Sequence, residues 1–103
     1  MNIRVKQEYL SFICNKSLEL FNSKDVWIFG SRVDINRKGG DIDIFIKTPN
    51  TDNILQTKII FLREFEKKWG EQKVDLIIET TNSKFNKIFE IARQEGVSIC
   101  CNL

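Results

Sequence analysis

The segment Asp41-Ile42-Asp43-Ile44-Phe45-Ile46 alternates strictly, and Thr48-Pro49-Asn50 closes it. No other stretch of this chain restricts the fold as much. A period of two places Ile42, Ile44 and Ile46 on one face of a strand, and Asp41, Asp43 and Phe45 on the other. Proline cannot continue a ladder, so the strand stops there. Leu55, Ile59, Leu62, Phe65 and Trp69 then recur as the stripe of an amphipathic helix. Asn50 or Thr51 serves as its N-cap and Gly70 ends it. Residues 73–78 repeat the strand pattern, with Val74, Leu76 and Ile78 on one face and Asp75 on the other. A strand, a crossover helix and a second strand predict a parallel pair.

The flanking segments complete the plan. Val5, Tyr9, Phe12, Ile13, Leu18 and Phe21 predict a helix over 5–21. A polar break follows, and the apolar run 26–29 reads as a buried strand. Residues 30–40 form a loop. Ser83 caps a third helix with the stripe Phe85, Ile88, Phe89 and Ala92, closed by Gly96, and 97–101 form a fourth, edge strand. The order α-β-β-α-β-α-β predicts an α+β fold: one domain over 1–103, a small mixed sheet, and helices on one face. The isoleucine face meets the helices. Asp41, Asp43 and Asp75 then share the opposite, open face.

Composition narrows the chemistry. The net charge is +2, from 16 basic and 14 acidic residues. That balance predicts neither nucleic-acid nor membrane binding. No apolar run is long enough for a membrane helix or a signal peptide, so a cytoplasmic protein is expected. The three cysteines, Cys14 and the adjacent Cys100 and Cys101, show no CxxC spacing and read as free thiols. There is no histidine, which removes histidine-based nucleophilic and general-base catalysis and most zinc or copper sites. Carboxylate, hydroxyl, lysine and hard-metal chemistry remain.

The three aspartates are costly unless something holds them. Two carboxylates about 5 Å apart repel by roughly 3 kcal/mol at an effective dielectric of 20. A divalent cation reverses that sign. Oxygen-only ligands select a hard ion, and Mg²⁺ is held by one or two carboxylates together with phosphate oxygens and water. The arrangement suits metal-assisted phosphoryl or nucleotidyl transfer. The preceding loop suits the same task. Gly30 lets backbone approach a phosphate, and the Ser31 hydroxyl can donate to it. Arg32, Arg37 and Lys38 can meet phosphate charge, and Gly39-Gly40 turns the chain into the acidic strand. Taken singly, each feature has a plainer explanation: a turn, a solvated strand face, solvated basic residues. Trp27 and Trp69 read as core. It is the combination, in matching parity, that points to a site.

In these residues the chain resembles the minimal nucleotidyltransferases of the DNA polymerase beta-like superfamily. Their hallmark is a Gly-Ser, a loop of roughly ten residues, an Asp-x-Asp in the next strand, and a third acid on a later strand. Here these are Gly30-Ser31, followed by Arg32, then Asp41-Ile42-Asp43, then Asp75 within Lys73-Val74-Asp75-Leu76-Ile77-Ile78; Glu95-Gly96-Val97 ahead of the last strand is also typical. Gly40 stands where many members have serine, and Val33-Asp34-Ile35-Asn36 where many have a small residue. The resemblance implies that Asp41, Asp43 and Asp75 bind two Mg²⁺ ions and carry catalysis, Asp75 also helping to activate the acceptor. It implies that Gly30, Ser31, Arg32 and Gly40 bind the nucleotide, ATP, and that AMP passes to a hydroxyl with release of pyrophosphate. With 103 residues the chain is expected to borrow its acceptor site, by dimerising or by docking to a partner. Stand-alone members are similar to antitoxins of toxin–antitoxin systems paired with a helical HEPN-type protein, which they silence by binding or by adenylylating a tyrosine. Two alternatives stay open: a non-catalytic antitoxin that neutralises by docking, and a sensor that binds ATP without turnover.

Overall fold

A computed structural model of the protein describes residues 7–29, 42–70 and 73–100. The elements follow the expected order: α1 (Gln7–Phe21), β1 (Asp25–Phe29), β2 (Ile42–Thr48), α2 (Ile54–Trp69), β3 (Val74–Thr80), α3 (Lys87–Glu95) and β4 (Val97–Ser98). The strands form one mixed sheet in the order β3-β2-β1-β4. β2 and β3 are parallel, joined through α2 as the strand–helix–strand pattern predicts. β1 is antiparallel to both β2 and β4.

Parity decides what each face does. Val26, Ile28, Ile42, Ile44, Ile46 and Leu76 form the main core with Ile13 and Phe21 of α1 and Phe61 and Phe65 of α2. Tyr9 of α1 stacks on Trp69 at the end of α2, with ring centroids 4.2 Å apart, so Trp69 is a packing residue, as expected. The opposite face is not left bare. There Trp27, Phe29, Phe45 and Ile77 pack against Ile88, Phe89 and Ala92 of α3. Arg93 of α3 pairs with Glu79 of β3 and lies over the Phe45 ring, 5.7 Å from its centroid. The expected placement of helices on one face therefore describes α1 and α2, and α3 departs from it. The alternation of β2 hid this, because Phe45 sits among the aspartates as an apolar residue that needs cover of its own.

Helix faces and caps shift from expectation for local reasons. In α1 the buried positions are Leu10, Ile13, Cys14, Ser17 and Phe21, while Leu18 is exposed. The true stripe contains a serine and a cysteine, which disguise it. The Ser17 hydroxyl donates to the Ser23 carbonyl, and the Thr48 hydroxyl to the Phe21 carbonyl. The Thr48 bond ties the end of α1 to the end of β2 and satisfies a carbonyl the helix leaves open, while the Ser17 bond holds the turn after α1 to the helix. In α2 Phe61 and Phe65 are buried, whereas Leu55 and Ile59 face outward. Asn53, in the left-handed region at φ 55°, stands at the α2 N-cap without a side-chain cap bond, in place of Asn50 or Thr51. Asn86 caps α3 by accepting from the Ile88 N–H, in place of Ser83. Phe85 then precedes the helix and is 76% exposed.

Gly96 ends α3 where no side chain fits. A Cβ there would press into the Ala92 carbonyl oxygen and stand 3.1 Å from both the Ile28 carbonyl oxygen and Phe29 Cβ. The glycine lets the chain turn directly from α3 into β4, which pairs with Trp27 and Ile28.

Cys14 and Cys100 form a disulfide, with Cα atoms 5.7 Å apart and a sequence separation of 86. This corrects the free-thiol expectation for both. Spacing rules see only local patterns, whereas this pair is brought together because Ile99 and Cys100, just after β4, pack into the same core as Leu10 and Ile13 of α1. Disulfides are uncommon in the reducing cytosol, so the thiols no longer support the cytoplasmic expectation. Among the described residues no helix is long and apolar enough to cross a membrane. A loop this long should make the bond worth about 2–4 kcal/mol. Cys14→Ala should therefore melt well below the wild type, and added reductant should bring the wild type down to the variant while leaving the variant unchanged. Equal melting temperatures without reductant would contradict the bond.

Candidate active site

The parallel register of β2 and β3 sets Asp43 directly opposite Asp75. Each is the second residue of its strand, and adjacent strands lie about 4.8 Å apart. Side chains of opposed residues in a parallel pair point to the same face, so the two carboxylates are neighbours. On the other side of β2, Phe29 lies opposite Asp43. One row across three strands thus reads Phe29, Asp43, Asp75.

The next row inward is Trp27, Phe45 and Ile77, and α3 covers it through Phe89 and Ala92. Phe45 is fully buried and its ring lies 5.6 Å from that of Phe89. The helix therefore covers the row beside the aspartates and, in their own row, reaches Phe29. It converts an open sheet face into a recess with an apolar back wall. Asp43 is half-buried there, and Asp75 is exposed. Asp43, Asp75, Phe29, Ile77 and Ile88 line the depression on the acid-bearing face, and it continues past Val74 and Leu76 of the edge strand β3 to Lys58 and Leu62 of α2.

Of the residues expected to form the site, Asp43 and Asp75 are brought together by the fold. Gly30, Ser31, Arg32, Gly40 and Asp41, as well as Arg37 and Lys38, lie outside the described residues. Among the described residues no group of three acidic, cysteine or histidine side chains is assembled for a metal. The donor set that is present is oxygen-only, two carboxylates side by side on a rigid sheet, and this fits a hard divalent cation such as Mg²⁺. Lys58 and Ile88 were not foreseen as site residues. Ile88 was assigned to the core stripe of α3. Lys58 carries no signal in the sequence, where a lysine beside an apolar helix stripe reads as solvated.

No curated protein matches this chain. The nucleotidyltransferase domain family matches residues 8–97. That span runs from the first turn of α1 to the first residue of β4 and contains both Asp43 and Asp75. With the expected element order, the parallel acid-bearing strands and a match over most of its length, the chain belongs to the nucleotidyltransferase domain family.

Proposed function

We propose that this nucleotidyltransferase is Mg²⁺-dependent and transfers AMP from ATP to a hydroxyl of a protein partner, a tyrosine of a HEPN-type helical toxin, thereby acting as its antitoxin. The observation that carries the proposal is the register that sets Asp43 opposite Asp75 at the mouth of a recess. Two adjacent carboxylates repel in the absence of a cation, and nucleotidyl transfer uses a metal held in that way. Asp43 and Asp75, with Asp41, would hold the metal, which supplies Lewis-acid stabilisation of the phosphate oxygens when bound. The acceptor oxygen bonds to the α-phosphorus, the bond between that phosphorus and the α–β bridging oxygen breaks, and pyrophosphate leaves with the electron pair. The acceptor proton passes to the Asp75 carboxylate, the more exposed of the two and so the one an incoming group reaches. The fully buried Phe45 and the α3 wall fix the direction from which substrates enter.

The test is transfer from ATP labelled at the α-phosphorus, with Mg²⁺ and a HEPN-type partner. Label should appear on the partner, should not appear from γ-labelled ATP, and should vanish with Asp75→Asn. Labelling that persists in Asp75→Asn, or that comes from the γ-phosphate, would contradict the proposal.

A second reading is favoured by the outer face of α2, where Leu55 and Ile59 are 71% and 43% exposed. Apolar side chains in one helix stripe can dock a partner. On that reading neutralisation needs docking alone, and Asp41→Ala/Asp43→Ala would still neutralise. Loss of neutralisation in that double variant, with binding retained, decides for catalysis.

A further inference from the structure

We infer that Lys58 is a phosphate-binding residue of this site, contributing the cation that meets the triphosphate and the departing pyrophosphate; this rests on the nucleotidyl-transfer reading above. Lys58 lies on α2, between β2 and β3 in sequence, and lines the same depression as Asp43 and Asp75. It is half-buried, flanked one turn on by Leu62, which lines the depression as well. A lysine in this setting keeps its stem along apolar surface and its ammonium toward water. Although two carboxylates share the depression, the Lys58 side chain forms no ion pair or hydrogen bond among the described residues. Its charge is therefore not consumed by the acids.

The chemistry of the reaction asks for such a group. Carboxylates attract the metal but repel the phosphates, and as pyrophosphate departs, negative charge grows on the leaving oxygens. A cation placed in advance stabilises that charge most where water is partly excluded. A helix holds it more firmly than a loop does. Lysine suits a phosphate as a point charge. Nothing else that lines this depression among the described residues is cationic.

The experiment compares wild type, Lys58→Met and Lys58→Arg by calorimetry with three probes: Mn²⁺ alone, Mg²⁺-pyrophosphate and Mg²⁺-ATP. Methionine keeps the apolar stem and removes the charge. Lys58→Met should bind pyrophosphate and ATP at least tenfold more weakly, with Mn²⁺ affinity equal or tighter and the melting temperature unchanged. Lys58→Arg should recover part of the loss. Wild-type binding of both anions with Lys58→Met unchanged would overturn the role of Lys58 alone. Weaker Mn²⁺ binding in Lys58→Met would also overturn it, because it would assign the lysine to shaping the carboxylates. Failure of the wild type to bind Mg²⁺-ATP or Mg²⁺-pyrophosphate would overturn the nucleotidyl-transfer reading and this inference with it.

Discussion

Asp43→Asn should lower nucleotidyl transfer by about a thousandfold or more, while the protein stays folded. Asp43 faces Asp75 across the β2–β3 pair, and asparagine keeps the shape of the aspartate while removing its charge. On the proposed reading the replacement removes one anionic metal ligand. Metal polarisation of a phosphoryl oxygen is worth several kcal/mol, and each 1.36 kcal/mol is tenfold in rate. Activity measured beside a thermal melt checks this. A variant that loses activity only in step with stability would mark Asp43 as a structural residue.

Phe45→Ala should destabilise the domain by about 3–5 kcal/mol, the range for truncating a buried aromatic residue. Phe45 has no exposed surface. Its ring lies 5.2 Å from Trp27 and 5.6 Å from Phe89, and Arg93 lies over it. It is the residue through which β1, β2 and α3 meet on the acid-bearing face. The cavity left by alanine cannot be filled from the sheet, because Trp27 and Ile77 are fixed by their own registers. Chemical unfolding should show the loss directly. At temperatures where the variant stays folded, transfer should also fall, since α3 supplies the back wall of the recess. A loss below about 1 kcal/mol would show that α3 is not anchored through this ring.

Much of this was legible in the sequence because two periodicities carried it. The alternation in β2 and β3 put Asp43 and Asp75 on one face, and the strand–helix–strand order made those strands parallel. Once both hold, the two acids can meet without any knowledge of packing. What stayed hidden has physical reasons. The third helix covers Phe45 and Ile77, but an alternating strand does not say whether its polar face is partly apolar enough to need a lid. Ser17 and Cys14 lie on the buried stripe of α1, and their polarity disguised it while exposed Leu18 drew the reading outward. In α2 the expected stripe holds at Leu62, Phe65 and Trp69, while Leu55 and Ile59 at its start face outward. The Cys14–Cys100 bond depends on where β4 returns in space, which no local pattern encodes. The acid row itself was foreseen because it depends only on parity and register.

Paramagnetic Mn²⁺ offers the most direct measurement of the central claim, that the carboxylates facing each other across β2 and β3 form a metal seat. Mn²⁺ broadens the amide resonances nearest to it, and needs no partner protein or turnover. Titrated at substoichiometric Mn²⁺, the amides of Asp43, Ile44, Asp75 and Leu76 should broaden first, and the effect should disappear in Asp43→Asn/Asp75→Asn. Broadening that begins instead at exposed acids far from the site, such as Glu8 or Glu19 on α1, and persists unchanged in the double variant, would contradict it.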